Sequence, residues 1–183
     1  MEELIKQLPS FDYFRQNFHH TITNWLPFYW GGFQQTTRYT YVLEDLTNLD
    51  EIWRGTKENI RREIRKAEEK VKVRTDLTID DFLNLNEMTF RRQGKALPYK
   101  RDLVTKLDQA CSSNQCRKIF FAEDAQNRLH AAIYLIWDEQ AAYYLMGGSD
   151  PALRNSGATS LLLWQAIQFA ATVTKSFDFE GSM

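Results

Sequence analysis

The sequence predicts an α+β fold, in which a mixed and largely antiparallel sheet is flanked by helices to give three layers. Three apolar, aromatic runs lie between residues 117 and 148, and turns of two or three residues separate them, which is typical of an antiparallel meander. Segments with helical periodicity precede the meander, and another one follows it and leads into a short final strand. The predicted order is therefore strand, helices, three strands, helix, strand (β-α-α-β-β-β-α-β).

The first elements are a strand and a long amphipathic helix. The stretch TRYTYVLEDL, residues 37–46, nearly alternates β-branched and aromatic side chains, which predicts a strand. Asn48, with Glu51 three residues later, resembles a capping box and opens a helix over residues 49–70. Apolar residues recur there at steps of four and three, so one stripe of the helix should be buried, although Gly55 weakens the pattern.

The remaining elements follow from the same signals. Residues 71–76 are compatible with a short strand, and Gly94 and Pro98 separate two further helices. The helices are predicted over residues 79–94 and 99–113, the meander strands over 117–124, 128–138 and 141–148, a last helix over 157–173, and a last strand over 176–181. His130 falls inside an apolar strand and is expected to be a buried, hydrogen-bonded histidine.

The composition argues against several classes of function, so the function must be inferred from individual sites. A formal net charge of −1 gives no global attraction to nucleic acid or to anionic membranes. The N-terminus is acidic and lacks the continuous apolar region of a signal peptide, and the most apolar helix is too short to span a bilayer, so we expect a cytoplasmic protein without membrane insertion. Cys111 and Cys116 have no partners for a zinc site, so no metal is expected.

The stretch YYLMGGSDPALRNSGATSLLLWQAI, residues 143–167, allows two interpretations of its loop. Glycine, aspartate and proline are the residues that a chain needs to turn from a strand into a helix. The backbone N–H groups at the start of the following helix also form a potential site for a phosphate-bearing ligand. The loop pattern alone favours a simple turn, because short glycine patterns are frequent.

The same stretch carries a family resemblance. RNSGAT, residues 154–159, resembles the pyrophosphate-binding loop of the GNAT (Gcn5-related N-acetyltransferase) superfamily, Q/R-x-x-G-x-G/A. Arg154 and Gly157 match that pattern, whereas Thr159 stands where the family has glycine or alanine. Together with NIRREIRKAEEKVKV, the meander and the closing FDFEGSM, the loop resembles the FemAB-like branch, which is related to peptidoglycan-bridge aminoacyltransferases.

This resemblance implies an organisation for the whole chain. Residues 37–183 are expected to form a GNAT-like domain whose final helix and two strands are missing. The aromatic-rich residues 1–36 are expected to be the end of a first GNAT-like half. An incomplete sheet would leave an edge exposed, to be covered by residues 1–36 or by another copy of the chain, which makes a homo-oligomer a possible arrangement.

The resemblance also implies a reaction and its residues. A GNAT protein transfers an acyl group from acyl-CoA, often acetyl-CoA, to an amine, here a small molecule or a cell-envelope amine. The residues expected to bind the diphosphate are Arg154, Asn155, Ser156, Gly157, Ala158 and Thr159. Glu180 and Asp178, two apart on the last strand and so expected on one face, are candidates for the proton acceptor, and Tyr144 for the proton donor.

The sequence also allows two other functions. A Fem-type enzyme would transfer an aminoacyl group from tRNA to a peptidoglycan precursor and would need a basic surface. RREIRKAEEK, residues 61–70, is basic, but opposite charges spaced four residues apart balance much of its charge, so tRNA binding is not favoured. Thr159 and the missing segment also allow a non-catalytic binding module that has kept the fold.

Overall fold

The computed structural model describes residues 2–180, which form two compact units, residues 2–40 and residues Tyr41–Glu180. The first unit holds two short helices, α1 (Glu2–Lys6) and α2 (Leu26–Trp30). Its phenylalanine rings pack on one another, and the rings of Phe14 and Phe33 lie 5.6 Å apart in an edge-to-face arrangement. The aromatic residues of this segment therefore contact each other within their own unit.

The second unit contains a six-stranded sheet with helices on both faces. Its strands are β1 (Val42–Leu43), β2 (Val71–Arg74), β3 (Arg117–Asp124), β4 (Leu129–Trp137), β5 (Ala141–Ser149) and β6 (Ser176–Asp178), in the order β1-β6-β5-β4-β3-β2. Its helices are α3 (Leu49–Gly55), α4 (Glu58–Glu68), α5 (Ile79–Arg92), α6 (Arg101–Ser113) and α7 (Ala158–Ala170). All pairings are antiparallel except that of β5 with β6. The predicted fold class is confirmed, and the predicted order of elements holds from β2 onwards.

Each face of the sheet carries its own core. On one face, α4 and α7 bury apolar side chains such as Ile64 and Leu161 against the strands. On the other face, α5 buries Phe82 and Leu83, and α6 contributes Val104. The three-layer arrangement follows from these apolar stripes, because each helix can remove its own stripe from water only by packing on the sheet.

Two predicted elements differ in length from the observed ones. The predicted strand over residues 37–46 is reduced to Val42–Leu43, because its pairing partner β6 is itself only three residues long. The single helix predicted over residues 49–70 is two helices, since the backbone is extended at Thr56 and Lys57. The guanidinium of Arg61 donates to the carbonyl oxygens of the last α3 residues and so stabilises the break.

The outer edge of β6 is covered by β1. Val42 pairs with Asp178 and Leu43 with Phe177, and the Phe179 amide donates to the Tyr41 carbonyl oxygen at 3.0 Å. The prediction that residues 1–36 would cover this edge is therefore corrected, because the segment that pairs with β6 is β1. The sequence predicts a strand within residues 37–46, but local sequence does not determine the position of that strand at the edge of the sheet.

Within residues 2–180, no helix is long and apolar enough to cross a bilayer.

Candidate functional site

The loop between β5 and α7 is held by hydrogen bonds of its own. The Asp150 carboxylate accepts from the Ala152 amide at 2.8 Å, and the Asp150 carbonyl accepts from the Leu153 amide. The Asp150 amide donates to the His130 carbonyl, which continues the β4–β5 ladder by one bond. Asp150 therefore acts as the turn residue that the sequence suggested.

Helix α7 starts from a tight turn that leaves amide groups open. A 3-10 turn over Arg154–Ser156 leads to Gly157, whose φ of 79° is left-handed. The Ser156 hydroxyl is buried and accepts from the Ala158 amide at 3.4 Å, whereas no acceptor among the described residues reaches the amides of Thr159 and Ser160. Unpaired amides at the positive end of a helix dipole provide a site for an anion.

The six residues predicted for the diphosphate site are divided between two environments. Ser156 and Ala158 are buried, so they contribute to packing and capping. Arg154, Asn155 and Thr159 are exposed, and Arg154 makes no ion pair with the described residues. The exposed side chains and the open amides therefore share one end of α7.

Gly157 has a packing reason that the sequence did not reveal. A side chain at this position would bring its Cβ atom to 2.7 Å from the Glu63 carbonyl oxygen of α4. The α4 backbone therefore occupies the space into which a side chain at position 157 would point. Glu63 also accepts a hydrogen bond from the Ser160 hydroxyl at 3.3 Å, which places a carboxylate beside the first turn of α7.

Strands β5 and β6 form a fork. They pair in parallel only as far as Tyr143 and Asp178, after which β5 continues to Ser149 without β6. A bulge at Leu145 interrupts the pairing of β5 with β4 at the same level. The edge of β5 beyond Tyr143 therefore faces no strand within the described residues, and it leads towards the loop before α7.

Two neighbouring glycines allow close packing on opposite faces of β5. A side chain at Gly147 would collide with the phenol end of Tyr144. Because glycine has no side chain, the Tyr144 ring can lie along the strand. A side chain at Gly148 would collide with the α5 backbone, with its Cβ 2.7 Å from the Asn86 Cα atom. Helix α5 therefore contacts β5 directly, and Tyr144 keeps a fixed place on the other face.

Tyr144, the predicted proton donor, lies partly buried on β5. Its ring packs against the core on the α4 and α7 face. Burial raises the pKa of the phenol, so the group keeps its proton at neutral pH. No hydrogen-bond partner of the hydroxyl is found among the described residues.

Only one of the two predicted carboxylates belongs to the last strand. Asp178 ends β6 with 4 % of its surface exposed, and its Oδ1 atom accepts from the Glu180 amide at 2.8 Å. Glu180 is exposed and lies beyond the strand with a φ of 49°, so strand alternation does not extend to it. Asp178 is next to Tyr143, on the face opposite Tyr144, and Asp138, Asp178 and Glu180 all add to the burial that raises the pKa of Tyr143.

Two α5 side chains that the sequence analysis did not identify hold the open edge of β5. The Asn86 amide donates to the Gly147 carbonyl at 2.7 Å, and Thr89 accepts from the Ser149 amide at 3.0 Å. The Tyr99 hydroxyl donates to the other end of the Asn86 side chain at 2.6 Å. A signal was present, since Asn86 is a polar residue beside buried Phe82, Leu83 and Leu85.

His130 is buried and hydrogen-bonded, as predicted. Its Nε2 atom lies 3.0 Å from an Asp124 oxygen, and Arg128 contacts the same carboxylate at 2.7 Å. The hydrogen bond to His130 is the main reason why the pKa of Asp124 is well below its usual value, with Arg128 and two backbone amides adding to it. No group of three or more His, Cys, Asp or Glu side chains in residues 2–180 is arranged to hold a metal ion.

The cluster of Asp124, Arg128 and His130 should make the free energy of unfolding depend on pH. A carboxylate with a lowered folded pKa contributes stability above the unfolded pKa of about 3.9, and that contribution is lost as the pH falls through the folded value. Asp124→Asn should therefore be less stable than the parent at pH 7, and the difference should shrink as the pH falls below about 4. Urea unfolding at several pH values measures this, and a difference that does not change with pH would contradict it.

Comparison with known proteins adds a family and a fold. A model of the family described as Acetyltransferase (GNAT) domain matches residues 54–181. The crystal structure of FemX superposes with a TM-score of 0.69 at 14 % identity, covering 79 % of this chain and 53 % of that chain. At this identity the likeness concerns the fold, and the chain spans about half the length of FemX.

Two structures of a spermidine N-acetyltransferase, SpeG from Vibrio cholerae, superpose less well. The complex with manganese ions has a TM-score of 0.42 at 19 % identity, covering 58 % of this chain and 64 % of that chain. The complex with CoA and spermine has a TM-score of 0.42 at 20 % identity, covering 57 % and 66 %. No curated protein matches the chain.

Proposed function

The chain belongs to the GNAT acetyltransferase domain family, and from that membership we propose that it is an N-acyltransferase that moves an acyl group from acyl-CoA to an amine. The observation that carries the proposal is the fork, where β5 continues past its last pair with β6 towards the start of α7. We propose residues 37–183 as the domain that performs the reaction.

The donor would bind both the open amides at the start of α7 and the edge of β5 that β6 does not cover. Its diphosphate would accept hydrogen bonds from the Thr159 and Ser160 amides, with Arg154 supplying a charge-assisted contact. Its thioester arm would lie beside the edge of β5 that β6 leaves, between Gly147, whose carbonyl Asn86 already occupies, and Tyr143. At about 3.3 Å per residue that stretch is roughly 13 Å long, which suits an extended arm.

The chemistry then needs one proton acceptor and one proton donor. The amine nitrogen bonds to the thioester carbonyl carbon, the carbon–sulfur bond breaks, and the sulfur leaves as a thiolate. In our proposal the amine loses a proton to Glu180, and Tyr144 gives a proton to the thiolate. Asp178 would act by position, since it holds the Glu180 amide at 2.8 Å.

Aminoacyl transfer from tRNA, of the Fem type, is the second candidate, and the fold likeness to FemX supports it. The basic helix α4 supports it less, because two of its arginines are engaged within the unit. Arg61 caps α3, and Arg65 lies over the Trp53 ring at 5.9 Å. Titration with tRNA at low salt tests this candidate, and absence of binding would remove it.

Arg154→Ala provides the direct test of the donor site. Losing one charge-assisted contact should weaken acetyl-CoA binding by about tenfold, measured by calorimetric titration, with little change in the free energy of unfolding because Arg154 is exposed. Lys72→Ala, which removes one exposed charge at the far edge of the sheet, should bind as the parent does. Gly157→Val is unsuitable, since it would collide with Glu63. Unchanged affinity in Arg154→Ala would favour a simple turn.

A further inference from the structure

A strongly basic segment lies between α5 and α6. Residues 91–100, RRQGKALPYK, contain Arg91, Arg92, Lys95 and Lys100 and no acidic residue. We refer to these residues as the basic loop. A run of four cations without an acid in ten residues stands out in a chain whose net charge is −1.

The basic loop has a defined conformation. The amides of Gly94 and Lys95 donate to the carbonyl oxygens of Arg91 and Phe90, and Gly94 takes a left-handed φ of 68° to close the end of α5. The rings of Phe90 and Tyr99 then pack edge to face at 6.2 Å. The cations are therefore carried by an anchored backbone.

The loop is connected to the open edge of β5. Tyr99 near its end donates to the Asn86 side chain, which in turn donates to the Gly147 carbonyl on the fork. Two hydrogen bonds of 2.6 and 2.7 Å thus join the basic loop to the strand along which the thioester arm would lie. The loop is therefore tied to β5 at Gly147, the residue against which the Tyr144 hydroxyl lies.

Most of the loop's charge is not neutralised by the protein. Arg91 contacts Glu87 at 3.5 Å, but Glu87 is shared with Arg101. Arg92, Lys95 and Lys100 are exposed and form no ion pair with any described residue. Three exposed cations without a protein partner on one ten-residue loop create a positive potential that attracts an anionic group.

We propose that the basic loop binds an anionic group, a phosphate or a carboxylate, on the amine that accepts the acyl group. This inference rests on the proposed acyltransferase function. The acceptor is the better occupant than the donor diphosphate, because the donor site at α7 belongs to the α4 and α7 face of the sheet, whereas α5 packs on the opposite face. The substrate class is then an amine that also carries a negative charge.

Three two-carbon amines test the inference, since they differ only in the group at the far end. Ethanolamine carries a hydroxyl, β-alanine a carboxylate and phosphoethanolamine a phosphate. With acetyl-CoA as donor, and with thiol release as the readout, kcat/KM for at least one anionic amine should exceed that for ethanolamine by about tenfold. The better of the two anionic amines identifies the recognised group.

The variant pair Arg92→Gln with Lys95→Gln should abolish this preference without changing the KM for acetyl-CoA. Lys70→Gln with Lys72→Gln, which removes the same charge at and beside the far edge strand β2, should keep it. Equal use of all three amines by the parent would overturn the inference. So would a loop variant that loses acetyl-CoA affinity, because the loop would then serve the donor.

A binding experiment separates failure of this inference from failure of the proposed function. If no amine is acylated, the proposed reaction is wrong, and titration of the protein with phosphoethanolamine and β-alanine still decides the loop's role. Binding about tenfold tighter than that of ethanolamine, lost in the Arg92 and Lys95 variant, supports an anionic-amine site. Equal or undetectable binding of all three compounds overturns it.

Discussion

Gly148→Ala is expected to lower the free energy of unfolding by about 3 kcal/mol or more. The new Cβ atom would lie 2.7 Å from the Asn86 Cα atom and would also collide with the Asn86 nitrogen and the Leu85 carbonyl carbon. These are backbone atoms of a packed helix, so relief requires α5 to move away from the sheet. Overpacking of a core commonly costs about 1–3 kcal/mol, and contact with a rigid backbone places this site at or above that range.

Chemical denaturation measures this effect, and Gly55→Ala serves as its control. Nothing lies within 4 Å of a Cβ atom at Gly55, which ends α3 with an ordinary φ. That substitution should leave stability unchanged or raise it by about 0.5 kcal/mol, because alanine favours the helix. Equal stability of Gly148→Ala and Gly55→Ala would show that α5 does not contact β5 as closely as the structure indicates.

Tyr144→Phe is expected to have the largest effect on activity. General acid catalysis contributes about 10²- to 10⁴-fold, so kcat for amine acetylation should fall by about 100-fold or more, with little change in the KM for acetyl-CoA. Stability should change little, because the hydroxyl has no partner within the described residues. Stopped or continuous assays of thiol release measure the rate. The matched control is Tyr41→Phe, because Tyr41 is 68 % exposed.

Gly147→Ala tests the same role without removing the hydroxyl. A methyl group there would push the Tyr144 phenol from its place along the strand, while only the end of a flexible side chain has to yield. Activity should therefore fall as in Tyr144→Phe, and stability should fall by only about 1 kcal/mol. Normal rates in both variants would remove Tyr144 from the mechanism.

Local sequence predicted the meander and most helices because their signals are local. Turns of two and three residues predicted where β3, β4 and β5 lie in the sequence, and the apolar stripe of α7 predicted where that helix lies. The break between α3 and α4 was not predictable from the stripe. It depends on Arg61, whose side chain reaches back to carbonyl oxygens that the first helix leaves open.

The site was predictable only in part, for a related reason. RNSGAT located the start of α7, but the roles of Gly157 and Gly148 depend on Glu63 and Asn86, which are far from them in the sequence. Strand alternation was used to predict the face on which Glu180 lies. That alternation does not apply to Glu180, because β6 ends two residues earlier, at Asp178. Periodicity predicts the direction of a side chain only within a helix or strand. Contacts between segments that are distant in the sequence are not encoded in any local pattern.

The short strand β1 has a consequence for how the fork opens. Its two residues form the smallest pairing in the sheet, so this edge should be among the first parts of the unit to unfold locally. Amide protons of β6 would then exchange with solvent far sooner than those of the long β3–β4 ladder. Such an opening would free one arm of the fork while the other stays fixed to α5, so a bulky ligand could enter without global unfolding.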